Sequence, residues 1–269
     1  MSKLIKSSLY KLVRDWTFRI TLIVGAALAV FMCLIYLGID LIGTERIGGM
    51  CNGYQFYTSS LSPTQNFGLT VPINLIVFTI GEFNCGTIRN KIIAGNKKSL
   101  IYLSLIITGI IFTLTLMLVY FALSVGLSTA IGSFKGTYEQ INTDLLYQYP
   151  LMGLCTYIFI VTFAILVSTS IRSIGGCMPI VIIGIIFLYF LAFIPSISNM
   201  LLNSEEMTTG MIVQQWINPL FGFGSLGITG IVSFKMEQTT FIASMITPLY
   251  WSAILVVLGI VIFNKKDVK

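Results

Sequence analysis

The chain reads as an all-α integral membrane protein, with six transmembrane helices preceded by an amphipathic interfacial helix. Three observations predict this class. Of its 269 residues 56% are hydrophobic and only 10% charged, where an ordinary soluble domain has about a quarter charged. Long uncharged runs separate the charges, at Leu100–Phe134, Leu145–Ile171, Ser173–Ser204 and Thr239–Asn264. Each exceeds the roughly 20 residues that cross a hydrocarbon core. Finally, charge is unevenly placed. With six spans and the amino terminus inside, 13 Lys and Arg fall inside and 3 outside (Arg46, Lys135, Lys235), while the acidic residues fall 3 inside and 7 outside. That asymmetry is the positive-inside rule. It accounts for the net charge of +6 better than a nucleic-acid partner would.

Residues 1–19 open with Leu4, Ile5, Leu9, Leu12, Val13 and Trp16 near a helical stripe, and Lys3, Lys6, Lys11 and Arg14 largely off it. This predicts a helix in the headgroup region, its basic face on anionic lipid and Trp16 at the interface. No small-residue cleavage site promptly closes the apolar run that follows, so residues 20–39 are expected as a retained first span. Residues 40–68 form an outer loop rich in Gly, Ser, Asn and Tyr.

The second span, 66–81, is short and interrupted by Pro72, so it must either begin inside the polar loop or be partly shielded by neighbouring helices. After it comes a charged island, Gly81–Ser99, holding Glu82, Arg89, Lys91, Lys97 and Lys98. On a helix Cys85, Ile88 and Ile92 would share one apolar side, suited to docking in a groove of a cytoplasmic protein. Gly95 and Asn96 supply the stop. A plain basic inside loop is the competing expectation.

Residues 100–128 return outward, and 129–149 form a second outer loop. Pro150 is expected to introduce the fourth span, 151–167. A turn carrying Arg172, broken by Gly175, Gly176 and Pro179, leads to the fifth span, 178–196. Residues 197–240 are an outer loop in which Trp216, Asn218, Pro219, Gly222 and Gly224 mark an apolar, helix-breaking segment, too short to cross and too apolar for water. It reads as re-entrant. The sixth span is 241–263, anchored by Lys265, Lys266 and Lys269.

Chemistry is scarce. No GxxxxGK[ST] occurs, so no P-loop cradles a nucleotide. The expected spans contain no Asp, Glu or His relay apart from Glu82 at a membrane edge, which argues against a proton-coupled carrier. Sodium coordination by backbone and hydroxyl groups stays open. The five cysteines show no CxxC spacing, and no histidine exists to complete a mixed zinc site. The chain is therefore expected to be no enzyme, and energy must enter from a partner at the island.

The run Glu82-Phe-Asn-Cys-Gly-Thr-Ile-Arg-Asn-Lys-Ile, with Gly95 and Ile101-Tyr102 after it, resembles the cytoplasmic segment of ABC-2-type transporter permeases. It is most similar to the bacitracin and lantibiotic (antimicrobial peptide) branch, with its E-x-x-x-G-T-[IL]-[KR] pattern. The resemblance implies an ABC-2 (type V) exporter-like permease that is multi-pass in a bacterial cytoplasmic membrane, both termini cytoplasmic. Residues 1–19 would be an elbow helix and 82–98 the coupling segment, with Glu82, Gly86, Thr87, Ile88, Arg89, Lys91, Ile92 and Gly95 contacting the ATPase partner. Two copies of an ATP-binding subunit would hold the ATP and Mg2+, no cofactor being bound by this chain. A second permease subunit, identical or homologous, would complete the path for an amphipathic substrate. The alternatives are a non-transporting sensor or scaffold, a permease for lipid-linked or other amphiphiles, and an independent secondary carrier.

Overall fold

A computed structural model describes residues 2–42, 51–60, 69–132, 134, 143–202 and 238–266. The regular elements among these residues are all helices: α1 (Ser2–Arg14), α2 (Trp16–Ile42), α3 (Gly53–Ser60), α4 (Thr70–Asn84), α5 (Thr87–Ile93), α6 (Lys98–Gly132), α7 (Thr143–Ile171), α8 (Ile174–Leu202) and α9 (Gln238–Lys265). Five of them, α2, α6, α7, α8 and α9, are long and apolar enough to cross a membrane. The chain is a helical, multi-pass membrane protein in architecture.

The break between α1 and α2 comes earlier than residue 19. Asp15 Oδ1 accepts the Thr17 backbone N–H at 3.0 Å, so Asp15 caps α2. Trp16 consequently begins the first span helix instead of closing the elbow. Between α2 and α4, α3, unforeseen in the sequence, lies against α6.

The second span differs most from expectation. α4 is only 15 residues long and ends at Asn84, carrying Glu82 inside its last turn. It meets α5 at a bend of 55°. Neighbours do shield it: α4 rests mainly on α7 and α8, with Val71, Leu75, Ile76 and Ile80 buried. Residues 66–68 of the expected span lie outside the described residues.

Two prolines and a glycine pair fail to break helices where they were expected to. α7 runs through Pro150 from Thr143, forgoing one backbone bond. The turn before α8 is confined to Arg172 and Ser173, with Arg172 at φ 60°, and Gly175, Gly176 and Pro179 fall inside the first turns of α8. Gly176 is needed there for closeness, since a Cβ would come within 2.9 Å of the Ile171 side chain. α6 and α9 extend past the expected limits, to Gly132 and Lys265.

α7 is the centre of the bundle, touching α3, α4, α6, α8 and α9. Of its span 72% is buried inside the chain, against 17% for α2 and for α8. The outward faces of α2 and α8, with Ile23, Phe31, Ile183 and Phe190 exposed, are thus surfaces for lipid or for another subunit. Hydroxyls within the spans are largely satisfied on their own helices: Thr108, Thr113, Thr156 and Thr169 each donate to the carbonyl four residues back. This satisfies a polar group in a medium without water. Between helices, Thr21 Oγ1 donates to Asn74 Oδ1 at 2.8 Å, joining α2 to α4.

Candidate coupling site

α4 ends where two turns demand glycine. Gly86 has φ 66° and Gly95 φ 83°, a left-handed region costly for residues with a Cβ. Gly86 bends the backbone between α4 and α5. Gly95 closes α5 in a Schellman pattern, with Gly95 N donating to Ile92 O at 2.9 Å and Asn96 N to Lys91 O at 3.3 Å. Asn96 Nδ2 also donates to Lys91 O, at 2.9 Å. The seven-residue helix α5 is thus fixed at both ends.

These turns fold Lys91 back toward Glu82. Lys91 Nζ donates to Glu82 Oε2 at 2.9 Å and to Ser8 Oγ at 3.0 Å. Lys11 Nζ lies 2.7 Å from Glu82 Oε1, a close charge pair without hydrogen-bond alignment, and donates to Thr87 Oγ1 at 3.0 Å. Side-chain exposure is 0% for Glu82, 8% for Lys91 and 35% for Lys11. A buried carboxylate survives only when paired, and here two ammonium groups hold it. One carboxylate therefore ties three elements together: α1 through Lys11 and Ser8, α4 through Glu82, and α5 through Thr87 and Lys91.

A second set of contacts joins the same end of the bundle. The Arg172 guanidinium sits 5.0 Å from the Phe83 ring centre, within cation–π range. Phe83 meets Phe263 at 6.2 Å, and Phe263 meets Tyr102 at 5.8 Å. Lys98 Nζ donates to Lys266 O at 2.9 Å and Asn264 O at 3.3 Å, while Lys266 Nζ donates to Ser170 O. Glu82 and Phe83 are adjacent, so α4 delivers both clusters at one level.

The expected residues separate accordingly. Glu82, Thr87, Lys91 and Lys11 converge. Lys11 was expected on the lipid-facing side of α1 and instead faces inward, because Leu4, Ser8 and Leu12 form the buried row and Lys11 borders it. Val13 and Trp16 are 59% and 71% exposed, so the expected stripe was centred too far round. Lys6 and Arg14 are exposed as anticipated, and Lys3 belongs to α1.

The expected docking side of α5 is also corrected. Ile88 is fully buried and Ile92 half-buried against the chain's own core, while Cys85 lies in the preceding turn. The side that α5 presents outward carries Arg89, Asn90 and Ile93, the last 73% exposed. Trp216, Asn218, Pro219, Gly222 and Gly224 lie outside the described residues.

Sequence reasoning missed Ser8 and the inward role of Lys11. The i, i+4, i+8 spacing of Leu4, Ser8 and Leu12 was the available signal. Among the described residues no group of three or more Cys, Asp, Glu or His side chains could hold a metal ion. The chain matches no protein-family model and no curated protein.

Proposed function

We propose that this chain is the permease subunit of an ABC-2-type ATP-binding-cassette exporter, lying in a bacterial cytoplasmic membrane with both termini on the cytoplasmic side. α4 counts as the second of six spans and returns the chain to the cytoplasm at the island, where α5 lies. Two copies of an ATP-hydrolysing subunit supply force there, and a second permease subunit, identical or homologous, completes the path. The substrate is an amphipathic or hydrophobic peptide of the antimicrobial class, moved across or out of the membrane. ATP and Mg2+ reside in the partner.

The Glu82–Lys91 contact carries this reading. A short helix with an exposed Arg89–Asn90–Ile93 side is bonded through a buried ion pair to α4, which packs on α7 and α8. A push on α5 cannot be absorbed locally, since separating Glu82 from Lys91 would strand charge in an apolar setting. It moves α4 instead, and through Lys11 it moves α1 as well. Mechanical input at α5 is thereby delivered to the bundle centre around α7.

Co-purification from native membranes tests the assignment. An ATP-binding-cassette protein should come down with the tagged chain, and its hydrolysis in proteoliposomes should rise with an amphipathic cationic peptide. Recovery of no nucleotide-binding protein would overturn the reading. A complex that hydrolyses ATP but moves nothing would favour a sensor or scaffold. Transport driven by an ion gradient without any ATPase would make the chain a secondary carrier. Movement of lipid-linked glycans in place of peptides would keep the exporter and change its cargo.

A further inference from the structure

α1 has an outward feature that the Glu82 cluster does not use. Ile5, Leu9 and Val13 follow each other at four-residue spacing, one position round from the buried Leu4, Ser8 and Leu12. This second apolar row lines a groove of about 870 Å³, bordered by Lys6 and Arg14 of α1 and by Arg19 of α2. Arg14 Nη1 donates to the Tyr10 hydroxyl and Arg19 Nε to the Val13 carbonyl, each at 3.2 Å. Both guanidinium groups are thereby steered to the groove with their forks able to meet a phosphate. No carboxylate lines it, and the neighbouring Asp15 carboxylate is turned to the Thr17 backbone.

The geometry points to a binding site for one anionic phospholipid, its phosphate held by Lys6, Arg14 and Arg19 and an acyl chain lying along Ile5, Leu9 and Val13. Continuity with α2 supports a lipid as the occupant. Ile23 and Val30 share the helical face of Arg19 and are 69% and 39% exposed, so an acyl chain leaving the groove continues along the span. Charge selects the headgroup. Three cations favour a net negative lipid, whereas a phosphatidylcholine brings its own ammonium into the same cationic rim. A soluble acidic peptide would satisfy the cations but leave the exposed face below Arg19 uncovered. The site does not depend on the chain being a permease.

Native mass spectrometry of the full chain, released from discs containing equal phosphatidylglycerol and phosphatidylcholine, tests this. One retained phosphatidylglycerol per chain is expected, and Arg14→Gln with Arg19→Gln should lower its occupancy by about fivefold for each cation removed. Equal retention of phosphatidylcholine, or undiminished phosphatidylglycerol on the double variant, would overturn the site. So would displacement of the lipid by free glycerophosphate or by an acidic peptide at matched concentration. Should the double variant fail to insert, hydrogen exchange of the unaltered chain in single-lipid discs decides. Slower exchange over residues 5–19 in phosphatidylglycerol supports the site, and identical exchange in both lipids ends it.

Discussion

Glu82 near the end of α4 and Lys91 on α5 stand 2.9 Å apart across the left-handed turn at Gly86, with 0% and 8% of their side chains exposed. Lys11 approaches the same carboxylate from α1 but is 35% exposed. The two contacts differ in kind. Water screens the partly exposed Lys11, and pairs open to water contribute about 1 kcal/mol or less, whereas removing one partner of a buried pair costs about 3–5 kcal/mol. Glu82→Gln should therefore destabilise the protein by about 3 kcal/mol, measured by unfolding in mild detergent. Lys11→Met should cost about 1 kcal/mol at most. The double variant Glu82→Gln with Lys91→Met should recover part of the loss, because no buried charge is left alone. A Glu82→Gln protein as stable as the unaltered chain would refute the lock.

Gly81 and Gly86 allow a controlled comparison of backbone and packing. A Cβ at either would meet nothing within 4 Å, but only Gly86 has positive φ. Gly86→Ala should cost about 1–2 kcal/mol from the left-handed backbone alone. Gly81→Ala, inside helical α4, should be neutral or stabilising by up to about 1 kcal/mol. Thermal unfolding of the two variants side by side measures the difference. Equal behaviour would mean that the turn does not need its glycine conformation.

Five of the expected spans, now α2, α6, α7, α8 and α9, were legible because uncharged runs of such length have no other soluble explanation. Their ends were less legible, for physical reasons. The second span was expected to stop at Gly81 because a charge follows, yet α4 continues through Glu82, whose countercharges come from α1 and α5. Lys11 lies 71 positions from Glu82 in sequence, beyond any local pattern. Pro150 was read as a boundary, but a helix held on several sides tolerates one missing backbone bond. Amphipathic spacing placed Ile88 and Ile92 on one apolar side of α5, but it also included Cys85, which is exposed in the preceding turn. It could not say whether Ile88 faced a partner or the chain's own core.

That distinction separates two aspartate substitutions. Ile88→Asp places a carboxylate at a fully buried position and should destabilise the fold by several kcal/mol. Ile93→Asp, at a position 73% exposed, should leave insertion and unfolding unchanged. It should nevertheless abolish recovery of the ATP-binding partner if α5 docks by its outer side. Unfolding and co-purification are to be measured on both variants. An Ile93→Asp protein that retains its partner at full yield would remove the Arg89–Asn90–Ile93 side from the docking surface.

The cysteines report both burial and sidedness. Cys85 is exposed in the turn before α5, whereas Cys51 is 2% exposed. Burial, with the Asp40 carboxylate adding to it, pushes the Cys51 thiol above its ordinary range. Raising a thiol's pKa empties the reactive thiolate at neutral pH, so labelling must increase as pH climbs toward the folded-state value. In sealed inside-out vesicles a membrane-impermeant maleimide at neutral pH should modify Cys85 rapidly. Cys51, followed in a Cys85→Ser background after permeabilisation, should react far more slowly and accelerate with rising pH. Fast, pH-independent labelling of Cys51 would contradict its burial beside Cys33 and Phe56. Modification of Cys85 only in right-side-out vesicles would reverse the proposed orientation and put the Glu82 cluster beyond the reach of any cytoplasmic ATPase.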